Sequence, residues 1–175
     1  MIRRLAPLLL AALLLVGCGA EPAAEELIGV GGGSPQQVVE SFLEDLNEAL
    51  AAPLGEPAVR RAWAERLASH FAPSERADQR AAMASMLARF ATSAASPAVG
   101  SKATLELTWT RIDLLEQDGE RARVRVVDGV MTLRFLNGEG EVVRERSGGI
   151  TDVIGQESGW LPTLRVGGSW FMTEG

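Results

Sequence analysis

The chain has no tyrosine and only one cysteine, Cys18, one histidine, His70, and one lysine, Lys102, in 175 residues. A single cysteine rules out an intrachain disulfide, so the fold must be held by packing alone. One histidine and one thiol cannot supply the several nitrogen or sulfur ligands of a zinc site. No Asp-x-Asp-x-Asp-Gly loop offers a calcium site, and no Gly-x-Ser-x-Gly elbow offers a serine nucleophile. Neither a metal nor a cofactor is expected. Basic charge is also scarce, 17 Lys and Arg against 23 Asp and Glu, for a net charge of −6. Such a body is repelled by polyphosphate and by anionic headgroups, which argues against nucleic acid as a partner. The only long apolar run, Leu5 to Val16, is shorter than the roughly 20 residues that a membrane-spanning helix needs.

That run follows Arg3 and Arg4 and ends in Leu15-Val16-Gly17-Cys18. A charged start, a short greasy middle and small residues before a cleavage point make an export signal. The motif resembles the lipobox of bacterial lipoproteins. The resemblance implies a signal peptide over residues 1–17, cleavage before Cys18, acylation of that cysteine, and a mature domain held outside the cytoplasm on a cell or outer membrane. Attachment through two or more acyl chains is stable where one is marginal. Loss of Arg3 and Arg4 with the leader takes the net charge to −8, and the remaining residues suffice for one domain with a core.

Residues 18–33 read as a flexible tether, small and acidic and ending in Gly31-Gly32-Gly33. These glycines with Gly29 do not make a dinucleotide loop, because no strand precedes them. The domain is expected over residues 34–175. Ser34-Pro35-Gln36-Gln37 is a helix start, with a serine cap, proline at the first position and Gln37 placed for a capping box. Val39, Phe42, Leu46 and Leu50 follow at helical spacing up to Pro53. A second helix opens at Pro57 with Val59, Trp63, Leu67 and Phe71 on one face. A third follows Pro73-Ser74 with Met83, Met86, Leu87 and Phe90. Each has a single apolar face, and each needs a surface to cover it.

After Ser96-Pro97 the period becomes two. Leu105, Leu107 and Trp109 alternate with polar residues, parity shifts near Thr110, and it shifts again at Asp128-Gly129 before Met131, Leu133 and Phe135. The pattern predicts one antiparallel meander bent by two bulges. Turn signals predict three-residue hairpin loops at Gln117–Gly119 and Gly167–Ser169. In that register Ile112 faces Val124, Leu114 faces Ala122 and Asp113 faces Arg123, while Val166 faces Trp170 and Leu164 faces Met172. Arg121, Arg123, Arg125, Arg144 and Arg146 read as a solvated strand face neutralised by Asp113, Glu141 and Glu145. Trp63, Trp109, Trp160 and Trp170 read as core and rim aromatics.

The fold class is therefore α+β, three N-terminal helices on a bent antiparallel sheet. The order of elements from Ser34 to Glu174, with the closing hairpin Leu164 to Thr173, resembles the NTF2-like superfamily, the cone shared by ketosteroid isomerase and SnoaL-type cyclases. The resemblance implies a cavity between helices and sheet, with walls from Phe42, Trp63, Leu67, Met83, Leu87, Phe90, Leu107 and Trp109. Enzymatic relatives place an acid–base aspartate and a tyrosine or second acid there. No tyrosine exists here, Asp113 points away from the apolar face by parity, and Asp152 has only its place in the sheet region to recommend it. No catalytic residue is assigned. His70 reads as a partly exposed imidazolium at a helix C-terminus, where substitution changes little. The expected function is a non-enzymatic, membrane-anchored module that binds a small apolar ligand or an envelope protein. The alternatives are a SnoaL-like isomerase or dehydratase, and an assembly lipoprotein whose cavity is filled by its own side chains.

Replacing Cys18 by serine is expected to leave the precursor uncleaved or to release the protein from the membrane. Fractionation after a salt wash decides this, and a mature-sized Cys18→Ser protein in the pellet would contradict the lipoprotein reading.

Overall fold

A computed structural model describes residues 31–150 and 159–175. The lipobox, Cys18 and Asp152 lie outside them. Helix α1 (Pro35–Ala51) begins as its sequence dictates. Ser34 is extended and its Oγ accepts the Gln37 amide at 3.1 Å. Gln37 reaches back to the amide of Gly33 at 2.9 Å, one residue before the cap. Ala52, held extended before Pro53, closes the helix. Helices α2 (Pro57–Ala68) and α3 (Arg76–Ala95) follow. Among the described residues no helix is long and apolar enough to cross a membrane.

Among the described residues, seven strands form two antiparallel sheets rather than one. Strands β1 (Lys102–Thr108), β4 (Val130–Leu136) and β5 (Val142–Gly149) make the first, in the order β1-β4-β5. Strands β2 (Arg111–Asp118), β3 (Arg121–Val127), β6 (Leu161–Val166) and β7 (Ser169–Met172) make the second, in the order β2-β3-β6-β7. The parity shifts at Thr110 and Asp128-Gly129 are thus corners where the chain passes between sheets. The two corners are bonded to each other: Thr110 donates its amide to the Val127 carbonyl and its hydroxyl to Asp128, both at 3.0 Å. Asp128 takes a positive φ of 52°, and at Gly129 an added Cβ would lie 2.9 Å from Val126 and 3.1 Å from the buried Ile150. The true bulges fall elsewhere, between Leu114 and Glu116 in β2 and at Val143 opposite the Phe135–Leu136 step.

Both hairpins close one residue tighter than the turn signals suggest. Asp118 pairs with Arg121, so the β2–β3 loop is Gly119-Glu120, and Val166 pairs with Ser169 across Gly167-Gly168. Gly119, Gly167 and Gly168 all have positive φ, as tight hairpin turns require. The observed pairs are Ile112 with Val126, Asp113 with Arg125 and Leu114 with Val124, and in the last hairpin Arg165 with Trp170 and Thr163 with Met172. The bulge at Leu115 reconciles this register with the faces, since one extra residue restores the parity that a two-residue turn would otherwise invert. Leu114 sits on the same face as Val124 but is 40% exposed, because β2 lies at the sheet edge.

Helix α1 packs against both sheets and α2 packs on α1 and α3. Leu43, Leu67, Leu87, Val38 and Val39 are essentially inaccessible, and each such aliphatic side chain contributes about 1.5–3 kcal/mol. Among the described residues the apolar core cluster runs from Val38 to Met172, all of it after Gly31. The end of the expected tether belongs to the domain: Gly32 pairs with Trp170 by two backbone hydrogen bonds of 2.8 and 2.9 Å. A Cβ at Gly32 would lie 2.7 Å from the backbone nitrogen of Val38, whereas Gly55 has open space around it. Gly32→Ala is accordingly expected to cost about 1–3 kcal/mol through overpacking, and Gly55→Ala to stay within about 0.5 kcal/mol of wild type. Denaturant midpoints of the two variants measure this directly.

Candidate ligand-binding cavity

Phe42, Leu46 and Leu50 recur every four residues and form one stripe of α1. Two hydrogen bonds set that stripe against the sheet. The Asn47 side-chain amide donates to the Leu107 carbonyl at 2.7 Å, and its oxygen accepts the Leu107 amide at 2.8 Å. The carboxamide thereby acts as a surrogate strand residue at the free edge of β1. With α1 so placed, its stripe, Met83 and Met86 of α3, and Leu105 and Leu107 of β1 enclose a cavity of about 270 Å³. Phe71, Leu161 and Met172 complete its apolar lining. Phe71 is carried there by its parallel bridge to Met172, with which His70 and Ala72 also exchange backbone hydrogen bonds of 2.8 and 2.9 Å.

The polar part of the wall comes from Gln79, Thr173 and Glu174. Gln79 donates to Glu174 at 2.6 Å, beside Thr173. The C-terminal tail is fastened there by Glu75, whose carboxylate accepts the Thr173 hydroxyl at 2.5 Å and the Glu174 amide at 3.1 Å. Among the described residues, Glu174 is the only ionisable one lining the cavity.

The buried ionisable groups lie on another side of α1. Asp45 accepts from Arg66 at 2.5 Å through Oδ1 and from His70 Nε2 at 2.7 Å through Oδ2. His70 is not the half-exposed cation that its position after α2 suggests, being 1% exposed. The ring is held edge-on by Phe42 at 6.0 Å, and its Nδ1 has no hydrogen-bond partner among the described residues. Burial raises the Asp45 pKa, but the hydrogen bonds and charges of Arg66 and His70 outweigh it and hold the carboxyl below its ordinary value. Neither Asp45 nor His70 is among the residues lining the cavity; the pair braces α1 against the segment that follows α2. Asp113 is likewise removed, paired with Arg111 at 2.8 Å. Among the described residues no group of three His, Cys, Asp or Glu side chains is arranged to hold a metal.

Of the eight residues expected on the walls, Phe42, Met83 and Leu107 line the cavity. Leu67 and Leu87 are fully buried in the core instead, and Trp63 and Trp109 pack half-buried against it. Phe90 lines a neighbouring groove. Leu46, Leu50 and Met86 share helical stripes with expected wall residues, but periodicity assigns a face without saying which part of it stays uncovered; Phe71, expected on the second helix, lies beyond its end at Ala68 in the bridge to Met172. Gln79, Thr173 and Glu174 carry no such signal. The arginines expected on one face are divided by the sheet corner. Arg123 pairs with Glu116 at 3.0 Å and lies 4.3 Å from the Trp160 ring centroid, and Arg134 takes Glu145 at 2.8 Å, leaving that acid unavailable to Arg144 and Arg146. Comparison with known family models and with curated proteins finds no match.

His70→Ala is expected to cost about 2–4 kcal/mol, because it empties a packed site and removes a partner from a buried carboxylate. Thermal or denaturant unfolding measures the loss. Asp45 has a depressed folded-state pKa, so its contribution is present above the unfolded value near pH 4 and lost as pH falls through the folded one. The stability gap between wild type and Asp45→Asn should therefore close as pH is lowered below about 4, which unfolding curves at a series of acidic pH values test.

Proposed function

We propose that this protein is a lipid-anchored bacterial module of NTF2-like architecture that binds a small apolar ligand in the cavity under α1 without turning it over. The cavity carries the reading: about 270 Å³ with Phe42, Leu46, Leu50, Met83, Met86 and Leu107 on its walls and only Gln79, Thr173 and Glu174 as polar side chains among its described lining residues. Apolar walls with a few polar groups are the usual make-up of a ligand site, and flexible thioethers let a lining adapt to an irregular ligand. The acid–base pair Asp45–His70 lies off that lining, which favours binding over the isomerase or dehydratase alternative. Three helices followed by two bent antiparallel sheets are compatible with the cone. The anchor and its exported, membrane-bound location rest on the Leu15 to Cys18 motif.

Titration of residues 31–175 with the neutral dye Nile red should give saturable fluorescence. Met86→Trp, which fills the cavity without adding charge, should remove the part of the signal that comes from this cavity, and Leu107→Glu should weaken it while also costing stability through a buried charge. Isomerase-type substrates should not turn over, and turnover by the wild-type protein would establish the enzyme instead.

A further inference from the structure

Helix α3 covers only part of the sheet β1-β4-β5. Beside its C-terminal half, Phe90, Ala94, Leu105, Leu133 and Phe135 line an open groove of about 550 Å³ with no carboxylate among its lining residues. The strand register decides what borders it. Phe135 stands opposite Arg144 and Leu133 opposite Arg146, and directly opposed residues of an antiparallel pair share a face. Both arginines thus stand on the groove side of β5, the edge strand, and Arg89 lines the groove from α3. Arg134, on the other face of β4, is held by Glu106 and Glu145. Arg89, Arg144 and Arg146 have no ion pair or hydrogen bond among the described residues. In a chain of net charge −6, three cations without an acidic partner among the described residues stand beside one apolar groove.

We propose that this groove binds a single-chain anionic amphiphile, its alkyl chain on Phe90, Leu133 and Phe135 and its carboxylate or phosphate-monoester headgroup at Arg89, Arg144 and Arg146. The volume falls in the range of about 300–1,000 Å³ typical of small-ligand sites, which suits one alkyl chain. Guanidinium groups match both headgroups because each presents paired oxygens to the forked donors. Each methylene removed from water contributes about 0.8 kcal/mol, so the sheet supplies affinity and the arginines supply the choice of charge. This site is separate from the cavity under α1, with Leu105 bordering both, and it does not depend on the reading of that cavity.

The test compares dodecanoate, dodecyl phosphate, dodecanol and dodecyltrimethylammonium, each below its micellar concentration, by calorimetry with residues 31–175. Both anions should bind about tenfold more tightly than dodecanol, with the cation weakest and the preference shrinking as salt is raised. In the double variant Arg144→Gln, Arg146→Gln the anions should fall to the level of dodecanol, whose own affinity should not change. Leu133→Asn should weaken all the ligands that bind, while Met86→Trp in the cavity should leave the anions unaffected. Equal binding of dodecanoate and dodecanol by wild type, an anion preference that survives the double arginine variant, or its loss in Met86→Trp would each overturn the assignment.

Discussion

Two hydrogen bonds from one carboxamide decide where α1 lies. Asn47 occupies both backbone hydrogen-bonding groups of Leu107, and an edge strand offers such groups only to a partner that reproduces strand geometry. The helix is therefore fixed in height and rotation over β1. Its rotation then assigns every side: Phe42, Leu46 and Leu50 face the cavity, Asp45 faces α2, and Glu40 and Glu44 are left to water. A small rotation of α1 would put a carboxylate on the cavity wall, and the buried carboxylate would lose both partners.

The Asp45–Arg66–His70 cluster is the second consequence of that placement. A carboxylate in an apolar setting is costly unless it is paired, and here one oxygen takes a guanidinium and the other an imidazole. The arrangement ties α1 to the end of α2, and the backbone of the segment after α2 is tied in turn to Met172 of β7. Helices and the second sheet are thus joined through His70 without a disulfide. Asp45 and His70 serve the scaffold, and the cavity under α1 is lined mainly by apolar side chains. Charge is distributed to the same effect, with Arg111, Arg123 and Arg134 satisfied by neighbouring acids and the arginines beside the α3 groove left free of ion pairs among the described residues.

Much of the local structure was legible in the chain. Ser34 and Pro35 start α1 because serine caps an exposed amide and proline has no amide to waste, and Pro53 ends it for the same reason. The period of two after Pro97 announces strands, and the shifts at Thr110 and Asp128 mark real events. Their meaning was not local. An extra residue within one sheet and a corner between two sheets leave the same trace in parity, and only the pairing partners tell them apart. The same ambiguity misplaced the hairpin loops, since glycine at positive φ serves a two-residue and a three-residue turn alike.

The wall residues divide in the same way. Periodicity put Phe42, Leu67, Met83 and Leu87 on apolar faces, and all four are on them, yet two line a cavity and two are sealed in the core. Neighbouring elements decide which part of a stripe stays uncovered, and that is a property of packing. His70 makes the point with a single side chain. Nothing near it in sequence predicts a carboxylate 25 positions earlier, and once α1 and α2 pack, that carboxylate makes burial of the imidazole tolerable. Sequence by itself marked the helices and the strands and ruled out an intrachain disulfide, because those follow from local backbone preferences and from which atoms exist. Tertiary structure alone decided the division into two sheets, the burial of Asp45 and His70, and the exposure of Arg144 and Arg146 beside an apolar groove, because each depends on which distant residue arrives opposite.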